Sequence, residues 1–162
     1  MRLLTWNCQG LGNGPSIRGL LDVQKQEAPD VLFLSVTKHD GKWMDWLRLK
    51  LEMPNMVVVN SEGNRGGLAL FWRGGVEVGV KNFSKAHIDC VMEEEEGFEW
   101  RFAGIYGESR SENKDNMLET LCYLKEQFEM PWLCSRYFNE ILFGCEKEGG
   151  PPRAELYMQK FN

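Results

Sequence analysis

The segment VLFLSVTK, residues 31–38, carries the strongest indication of the fold. Its first part, from Val31 to Leu34, is apolar without interruption. Continuous apolar runs of this kind are typical of a central strand that is buried on both faces of a sheet. Polar residues follow from Ser35 to Lys38. The segment therefore predicts a buried strand with polar side chains at its carboxyl end.

Helices are predicted on both sides of this strand. A strand that ends at Asn7 and a helix over residues 16–27, capped by Ser16, precede it. A helix over residues 42–51 follows it. The spacing of Trp43, Leu47 and Leu51 places these three residues on one face of that helix, which predicts that this face is buried.

The hydrophobic pattern then changes to that of strands. Five short β-prone runs are separated by glycine or charged turns, a spacing that predicts an antiparallel meander. The runs are residues 56–60, 68–72, 76–81, 87–92 and 99–106. A third amphipathic helix, which includes Leu121 and Leu124, and a strand from Trp132 to Cys134 follow. This order predicts one α/β (α+β) domain over residues 1–162 with a mixed or antiparallel sheet.

Composition limits the class of protein. The chain has 162 residues, of which 43% are hydrophobic and 12% aromatic, so disorder is excluded as a description of the whole chain. No apolar run reaches the roughly 18 residues that a membrane span needs, so no membrane association is expected. Residues 1–8 lack the long apolar stretch of a secretory signal.

Charge and cysteine content narrow the expected partners and compartment. The 19 basic and 24 acidic residues give a net charge of −5, which argues against a strongly basic nucleic-acid clamp but not against a phosphodiesterase that holds cations with carboxylates. The five cysteines are widely spaced and include no C-x-x-C. Zinc and a disulfide framework are therefore poor interpretations, and reduced thiols in the nucleus or cytoplasm are expected.

Polar residues at the ends of three predicted strands are the candidates for a functional site. Asn7 ends the first strand, residues 35–38 end the second, and residues 135–141 follow the strand that begins at Trp132. Asn7 has two interpretations: its carboxamide oxygen either faces a site at the sheet rim or caps the following turn.

Taken together, these strand ends resemble the endonuclease/exonuclease/phosphatase superfamily, and most closely the endonuclease domain of plant LINE-type (non-LTR) retrotransposons. In that family the three strands end in W-N, L-S-E-T-K and G-D-F-N-E-I-L. The matching text here is WN at 6–7, LSVTK at 34–38 and RYFNEIL at 136–142. Three further segments also look like the family: GGLA at 66–69, HID at 87–89 and GIYG at 104–107. The likeness therefore extends along essentially the whole chain.

The resemblance implies a four-layer α/β/β/α sandwich and Mg²⁺-dependent hydrolysis of a phosphodiester. By motif position, Asn7 lies at the metal rim, Tyr106 contacts the phosphate and Asn139 holds the attacking water or the phosphate. Lys38, Arg110 and Arg136 are candidate nucleic-acid contacts on the substrate face. Solubility of the surface accounts for these three cations equally well.

Two positions depart from the family pattern at its critical carboxylates. The metal-ligand Glu of the family is replaced by Val36, and its catalytic Asp is replaced by Tyr137. Val has no ligand atom, and a tyrosine hydroxyl with a pKa near 10 cannot act as the base at neutral pH. Arg136 stands where the family has a glycine. Asn7, Tyr106 and Asn139, which match the family pattern, are therefore interpreted as remnants of a site, and no metal site is predicted.

The family domain also continues into further strands that end in an S-D-H motif, and this segment is absent before Asn162. We therefore expect an incomplete sandwich that lacks its C-terminal strands. The inner face of the first sheet is expected to be partly uncovered, which predicts a protein partner or self-association through that face. His39 and His87 do not match the family's histidine and are expected to be structural.

These observations favour a truncated, catalytically inactive domain of retrotransposon origin that acts as a binding or interaction module. It would need no cofactor, although the active family uses Mg²⁺, and its binding of nucleic acid would be weak. One alternative is an active Mg²⁺-dependent phosphodiesterase or endonuclease acting on DNA or RNA. Another is an unrelated α/β scaffold.

Overall fold

The computed structural model describes residues 1–106 and 114–136 of the chain. In this part of the chain, two four-stranded sheets lie face to face and helices cover both outer faces. In chain order the elements are β1 (Leu3–Asn7), α1 (Gly14–Glu27), β2 (Val31–Ser35), α2 (Gly41–Leu51), β3 (Asn55–Val59), β4 (Leu68–Trp72), β5 (Glu77–Ser84), β6 (His87–Glu93), a 3-10 turn (Glu95–Gly97), β7 (Glu99–Ile105), α3 (Lys114–Gln127) and β8 (Trp132–Arg136). The arrangement is the expected α/β/β/α sandwich.

Sheet 1 has the strand order β1-β2-β4-β3. β1 is parallel to β2, and β4 is antiparallel to both of its neighbours. All five residues of β2 are buried, which confirms the prediction from its apolar run. The outer face of this sheet packs against α1 and α2 through Leu20, Met44 and Leu47.

The helix starts follow from side-chain caps. Asn13 accepts a hydrogen bond from the backbone nitrogen of Ser16 at 2.8 Å, so Asn13 is the N-cap of α1 and the prediction of Ser16 as the cap was wrong. Asp40 caps α2 in the same way, accepting from the backbone nitrogen of Trp43 at 3.0 Å. Each cap satisfies one of the backbone donors that a helix leaves unpaired at its start.

Sheet 2 has the order β5-β6-β7-β8, with β8 parallel to β7. The prediction of one antiparallel meander over five strands was therefore wrong: β3 and β4 belong to sheet 1, and only β5 to β7 form a meander. The chain passes between the sheets in the turn 73–76, where Gly75 has a φ of 86°. β4 is almost entirely buried because it has a covering layer on each face. β5 alternates between exposed and half-buried residues.

The inner faces of the two sheets pack directly against each other. Val31, Phe33, Leu68 and Leu70 are at most 2% exposed and face a cluster from sheet 2. The rings of Phe33 and Phe102 meet edge to face, with centroids 5.5 Å apart. Strands of the second sheet thus cover the inner faces of β2 and β4, whereas Thr5 of β1 is exposed. A protein partner or self-association through a partly uncovered inner face stays a prediction.

The outer face of sheet 2 carries α3 and a buried ion pair. Leu124 of α3 packs against Ala103 and Ile105 of β7. Next to this contact, Arg101 donates two hydrogen bonds to Asp89, Nε to Oδ1 at 2.7 Å and Nη2 to Oδ2 at 2.9 Å, and both side chains are 1% exposed. Among the described residues, no helix is long and apolar enough to cross a membrane.

Candidate functional site

The ends of several strands meet at one edge of the sandwich. In sheet 1, Asn7 lies beside Ser35 at the ends of parallel β1 and β2, and β4 begins opposite Ser35. In sheet 2, β7 and β8 end side by side, with Ile105 opposite Arg136. A Cβ on Gly66 would lie 3.8 Å from Cε1 of Tyr106, so the two sheet edges adjoin. We call this edge the rim and define it by Asn7, Val36, Lys38, Gly66 and Tyr106.

Backbone hydrogen bonds join the loops of the rim. The nitrogen of Gly10 donates to the carbonyl of Val36 at 2.8 Å, and the nitrogen of Lys38 donates to the carbonyl of Gly66 at 3.1 Å. Gly67 has a φ of 85°, and a Cβ there would lie 2.3 Å from Oγ1 of Thr37. A glycine is therefore required at this point, and the loops after β1 and β2 and before β4 form one connected surface.

Asn7 has a local partner. Its Oδ1 accepts a hydrogen bond from the backbone nitrogen of Gln9 at 3.3 Å. This is the contact that the turn-capping interpretation requires. Its role at a metal rim stays a prediction from the resemblance.

Val36 directly follows β2 and has a φ of 56°. A β-branched residue with positive φ is an outlier, because its branched side chain crowds the following carbonyl group. The left-handed conformation costs an L-residue about 1–2 kcal/mol. Strain of this kind concentrates at functional sites. The position to which the resemblance assigns a metal-ligand carboxylate is therefore strained here, and its side chain bears no ligand atom.

Val36→Asn is expected to raise the free energy of unfolding by about 1 kcal/mol, because Asn tolerates the left-handed region and Val does not. Chemical denaturation of the two proteins measures the difference. Val78→Asn is the matched control. Val78 is half-buried in β5 and packs against the buried side chains between the two sheets, which we call the central core, so this change is expected to lower the free energy of unfolding. A Val36→Asn protein that is destabilised as much as the control would contradict the assignment of strain.

The side chain of Lys38 lies across the loop after β1. A Cβ on Gly10 would be 3.0 Å from Cδ and 3.6 Å from Nζ of Lys38. Lys38 itself is exposed and has a φ of 60°. Its ammonium group therefore places a positive charge at the rim, beside the loop that follows Asn7.

Arg136 ends β8 on the same edge of the sandwich and is half-buried. Burial lowers the pKa of its guanidinium group from the ordinary value. An arginine nevertheless stays charged at neutral pH. The structure thus brings two of the predicted nucleic-acid contacts, Lys38 and Arg136, to the end of the sandwich where Tyr106 lies. Arg110, Tyr137 and Asn139 lie outside the described residues.

The donor atoms of the rim do not fit Mg²⁺. This ion prefers a near-octahedral set of oxygen ligands that includes carboxylates. Within residues 1–106 and 114–136, no group of three or more His, Cys, Asp or Glu side chains is placed to hold a metal ion. The defining residues of the rim include the amide oxygen of Asn7 and the ammonium group of Lys38 but no carboxylate.

Two groups near the rim, Cys8 and His87, are buried. Burial raises the pKa of the Cys8 thiol to about 12, so the thiol is protonated and not a nucleophile at neutral pH. His87 is 6% exposed, its Nδ1 lies 2.8 Å from Oγ of Ser84, and burial lowers its pKa. This burial agrees with the structural role expected for His87.

The buried face of α2 differs from the predicted one by one residue. Met44, Leu47 and Leu51 are its buried residues, whereas Trp43 is only partly buried and Trp46 is 42% exposed. The spacing 44, 47 and 51 is as regular as the predicted 43, 47 and 51.

Comparison with known proteins identifies the fold. The chain is similar to the human Nocturnin catalytic domain with a bound sulfate anion (TM-score 0.63, 17% identity, 87% of this chain and 64% of that chain). It is also similar to an endonuclease/exonuclease/phosphatase family protein from Bacteroides thetaiotaomicron (0.60, 14%, 86% and 63%). The chain has the fold of the endonuclease/exonuclease/phosphatase proteins. TDP2 of D. rerio, complexed with a single-strand DNA product, matches in the same way (0.60, 15%, 87% and 61%).

The similarity concerns the fold, because these sequence identities are low. The chain spans less than two thirds of the length of each of the three structures. A scan against protein-family models found no match, and a search of curated protein sequences found no relative.

Proposed function

We propose that the chain is a catalytically inactive endonuclease/exonuclease/phosphatase-type domain of LINE-type retrotransposon origin that binds nucleic acid weakly at the rim. One observation carries the proposal. At the position of the family's metal ligand stands Val36, strained and without an oxygen donor, and the ammonium group of Lys38 lies across the adjacent loop. A fixed positive charge occupies the region where the active family needs carboxylates to attract a cation.

These residues are suited to binding a phosphodiester without hydrolysing it. Lys38 and Arg136 are cations that attract phosphate oxygens. Hydrolysis also needs a base that takes a proton from water, and removal of a general base alone costs about 10²–10⁴ in rate. Val36 and the neutral hydroxyl group of Tyr137 provide no such base at neutral pH. One structure of this fold holds a sulfate anion, and another holds a DNA product. Both observations support anion binding as the property that this chain retains.

The catalytic part of the proposal predicts no nicking of supercoiled plasmid DNA in Mg²⁺ or Mn²⁺ above the level without protein. Calorimetry with Mg²⁺ is expected to give no binding heat for the chain, and measurable heat for the double variant Val36→Glu/Tyr137→Asp, which restores both carboxylates. Metal-dependent nicking that disappears in Asn139→Ala would instead establish the alternative, an active phosphodiesterase.

The binding part predicts weak, salt-sensitive association with a fluorescent single-stranded oligonucleotide. Each neutralised phosphate contributes roughly −0.7 to the slope of log affinity against log salt, so two cations give about −1.4. Lys38→Glu is expected to weaken binding and to lower the magnitude of the slope by about 0.7.

Lys25→Glu is the matched control for this measurement. It makes the same charge reversal in the last turn of α1, and it is expected to leave the slope unchanged. Affinity that does not change with salt, or an equal effect of the two variants, would contradict binding at the rim.

A further inference from the structure

A stripe of aromatic rings runs along α2 from the rim. It consists of His39, Trp43, Trp46 and Lys50, which we call the aromatic stripe. The rings of His39 and Trp43 are stacked, with centroids 3.8 Å apart and planes inclined by 6°. Trp43 and Trp46 follow at 5.3 Å and 54°, and Nζ of Lys50 lies 5.9 Å from the centroid of the Trp46 ring. The stripe therefore ends in an accessible indole ring beside a cation.

The fold does not require Trp46 at the surface, whereas Trp43 packs partly against the core of sheet 1. α2 is anchored to sheet 1 by its buried residues Met44, Leu47 and Leu51, each at most 1% exposed. Trp46 is 42% exposed on a different face of the helix. An indole ring left in water next to a lysine forms a flat apolar surface with a positive charge at its edge.

The local charge favours an anionic ligand. Both acidic side chains between residues 39 and 51 are engaged: Asp40 caps α2, and Asp45 accepts a hydrogen bond from Nε of Arg48 at 2.8 Å. Lys42 and Lys50 are exposed on the same helix. Although the whole chain is acidic, α2 itself carries three basic residues, Lys42, Arg48 and Lys50, and one carboxylate, Asp45, so the helix has a net positive charge.

The stripe is continuous with the rim. His39 directly follows Lys38, and the stripe extends from there along the helix. The ring centroids of His39 and Trp43 are 3.8 Å apart and those of Trp43 and Trp46 are 5.3 Å apart, so the three rings form a continuous row from His39 to Trp46. A ligand whose phosphate contacts Lys38 can therefore extend along α2 toward Trp46.

We propose that the aromatic stripe is a stacking platform for the bases of single-stranded nucleic acid, with Trp46 as the base-contacting residue. The inference rests on the proposed binding at the rim and specifies a single strand as the ligand. Stacking of bases on aromatic side chains next to a cationic groove is the way in which proteins bind single strands without reading their sequence. A duplex hides the faces of its bases and offers Trp46 nothing to stack on.

The test compares two fluorescent ligands of equal length and charge, an oligothymidylate and an oligonucleotide whose residues are all abasic. Trp46→Leu is expected to weaken binding of the oligothymidylate about fivefold or more, the lower end of the range for loss of one stacked base. It is expected to leave binding of the abasic strand unchanged. Trp46→Phe keeps an aromatic ring and is expected to retain most of the affinity for both strands.

The outcomes separate the platform from the rim. Oligothymidylate binding that survives Trp46→Leu, or equal affinity of the unmodified protein for the two strands, overturns the platform and leaves the proposed function intact. Failure of the unmodified protein to bind either strand overturns the proposed function itself. Unchanged abasic binding also shows that Trp46→Leu is folded. If Trp46→Leu no longer binds the abasic strand, the test rests on the Trp46→Phe variant. If Trp46→Phe binds neither strand, the proposed platform is overturned.

Discussion

Arg101→Met is expected to lower the free energy of unfolding by about 3–5 kcal/mol, because it leaves the buried carboxylate of Asp89 without its partner. Arg101 donates two hydrogen bonds to Asp89 and one to the carbonyl of Leu124 in α3. Its guanidinium group also lies 5.0 Å from the ring centroid of Phe128 and 5.3 Å from that of Trp132. One side chain thus joins β6, β7, β8 and the end of α3. Urea denaturation measures the loss.

The exposed pair between Lys85 and Glu62 provides the control. Both side chains are largely in solvent, 77% and 68% exposed, and exposed pairs contribute about 0–1 kcal/mol. Lys85→Met should therefore change stability little. Replacing both buried partners, as in Asp89→Leu/Arg101→Met, is expected to recover much of the loss, because no charge is left unpaired. Equal effects of Arg101→Met and Lys85→Met would show that the buried pair is unimportant.

Gly104→Ala is expected to destabilise the domain by about 1–3 kcal/mol through overpacking between the sheets. A Cβ at Gly104 would lie 2.3, 2.4 and 2.7 Å from three atoms of the Phe33 ring. That ring is 2% exposed and packs against Phe102, so it cannot move without disturbing the contact between the sheets. Thermal and urea unfolding report the change.

Two further variants test this explanation. Gly19→Ala lies in α1 with no atom within 4 Å of the added Cβ, and it is expected to stabilise by up to about 1 kcal/mol through helix propensity. Phe33→Leu is expected to cost less in the Gly104→Ala protein than alone, because it removes the clashing ring. Additive effects of Gly104→Ala and Phe33→Leu would mean that the ring is not the obstacle.

Much of the secondary structure follows from local sequence. The apolar run of β2, the glycine turns and the end of α1 before Pro29 predict their elements closely. The pairing of strands did not follow. β4 and β5 are consecutive β-prone runs separated by a short glycine turn, which is also the pattern of a hairpin. Both faces of β4 are buried, one against the helices and the other against sheet 2, and this tertiary packing is not specified by the local sequence.

The candidate site was predictable in position but not in geometry. Motif order placed Asn7, Val36, Lys38 and Tyr106 at strand ends, and the structure brings them to one rim. The positive φ of Val36 and the position of Lys38 across Gly10 depend on hydrogen bonds between loops that are distant in sequence. The ion pair of Asp89 with Arg101 was not predicted for a different reason: charged residues in strands are ordinarily expected at the surface.

The chain crosses from one sheet to the other only once in the described residues, at the turn 73–76. In the described part of the chain, each sheet with its covering helices is thus built from one continuous stretch, which we call a half. Strand pairing within each half needs no residue of the other half, and docking of the halves buries the central core. This division suits a folding order in which each half acquires its strand pairing as a unit and docking comes last. It also marks the exposed turn as the natural cut for fragment complementation, in which two separately produced halves reassemble through the faces of their sheets.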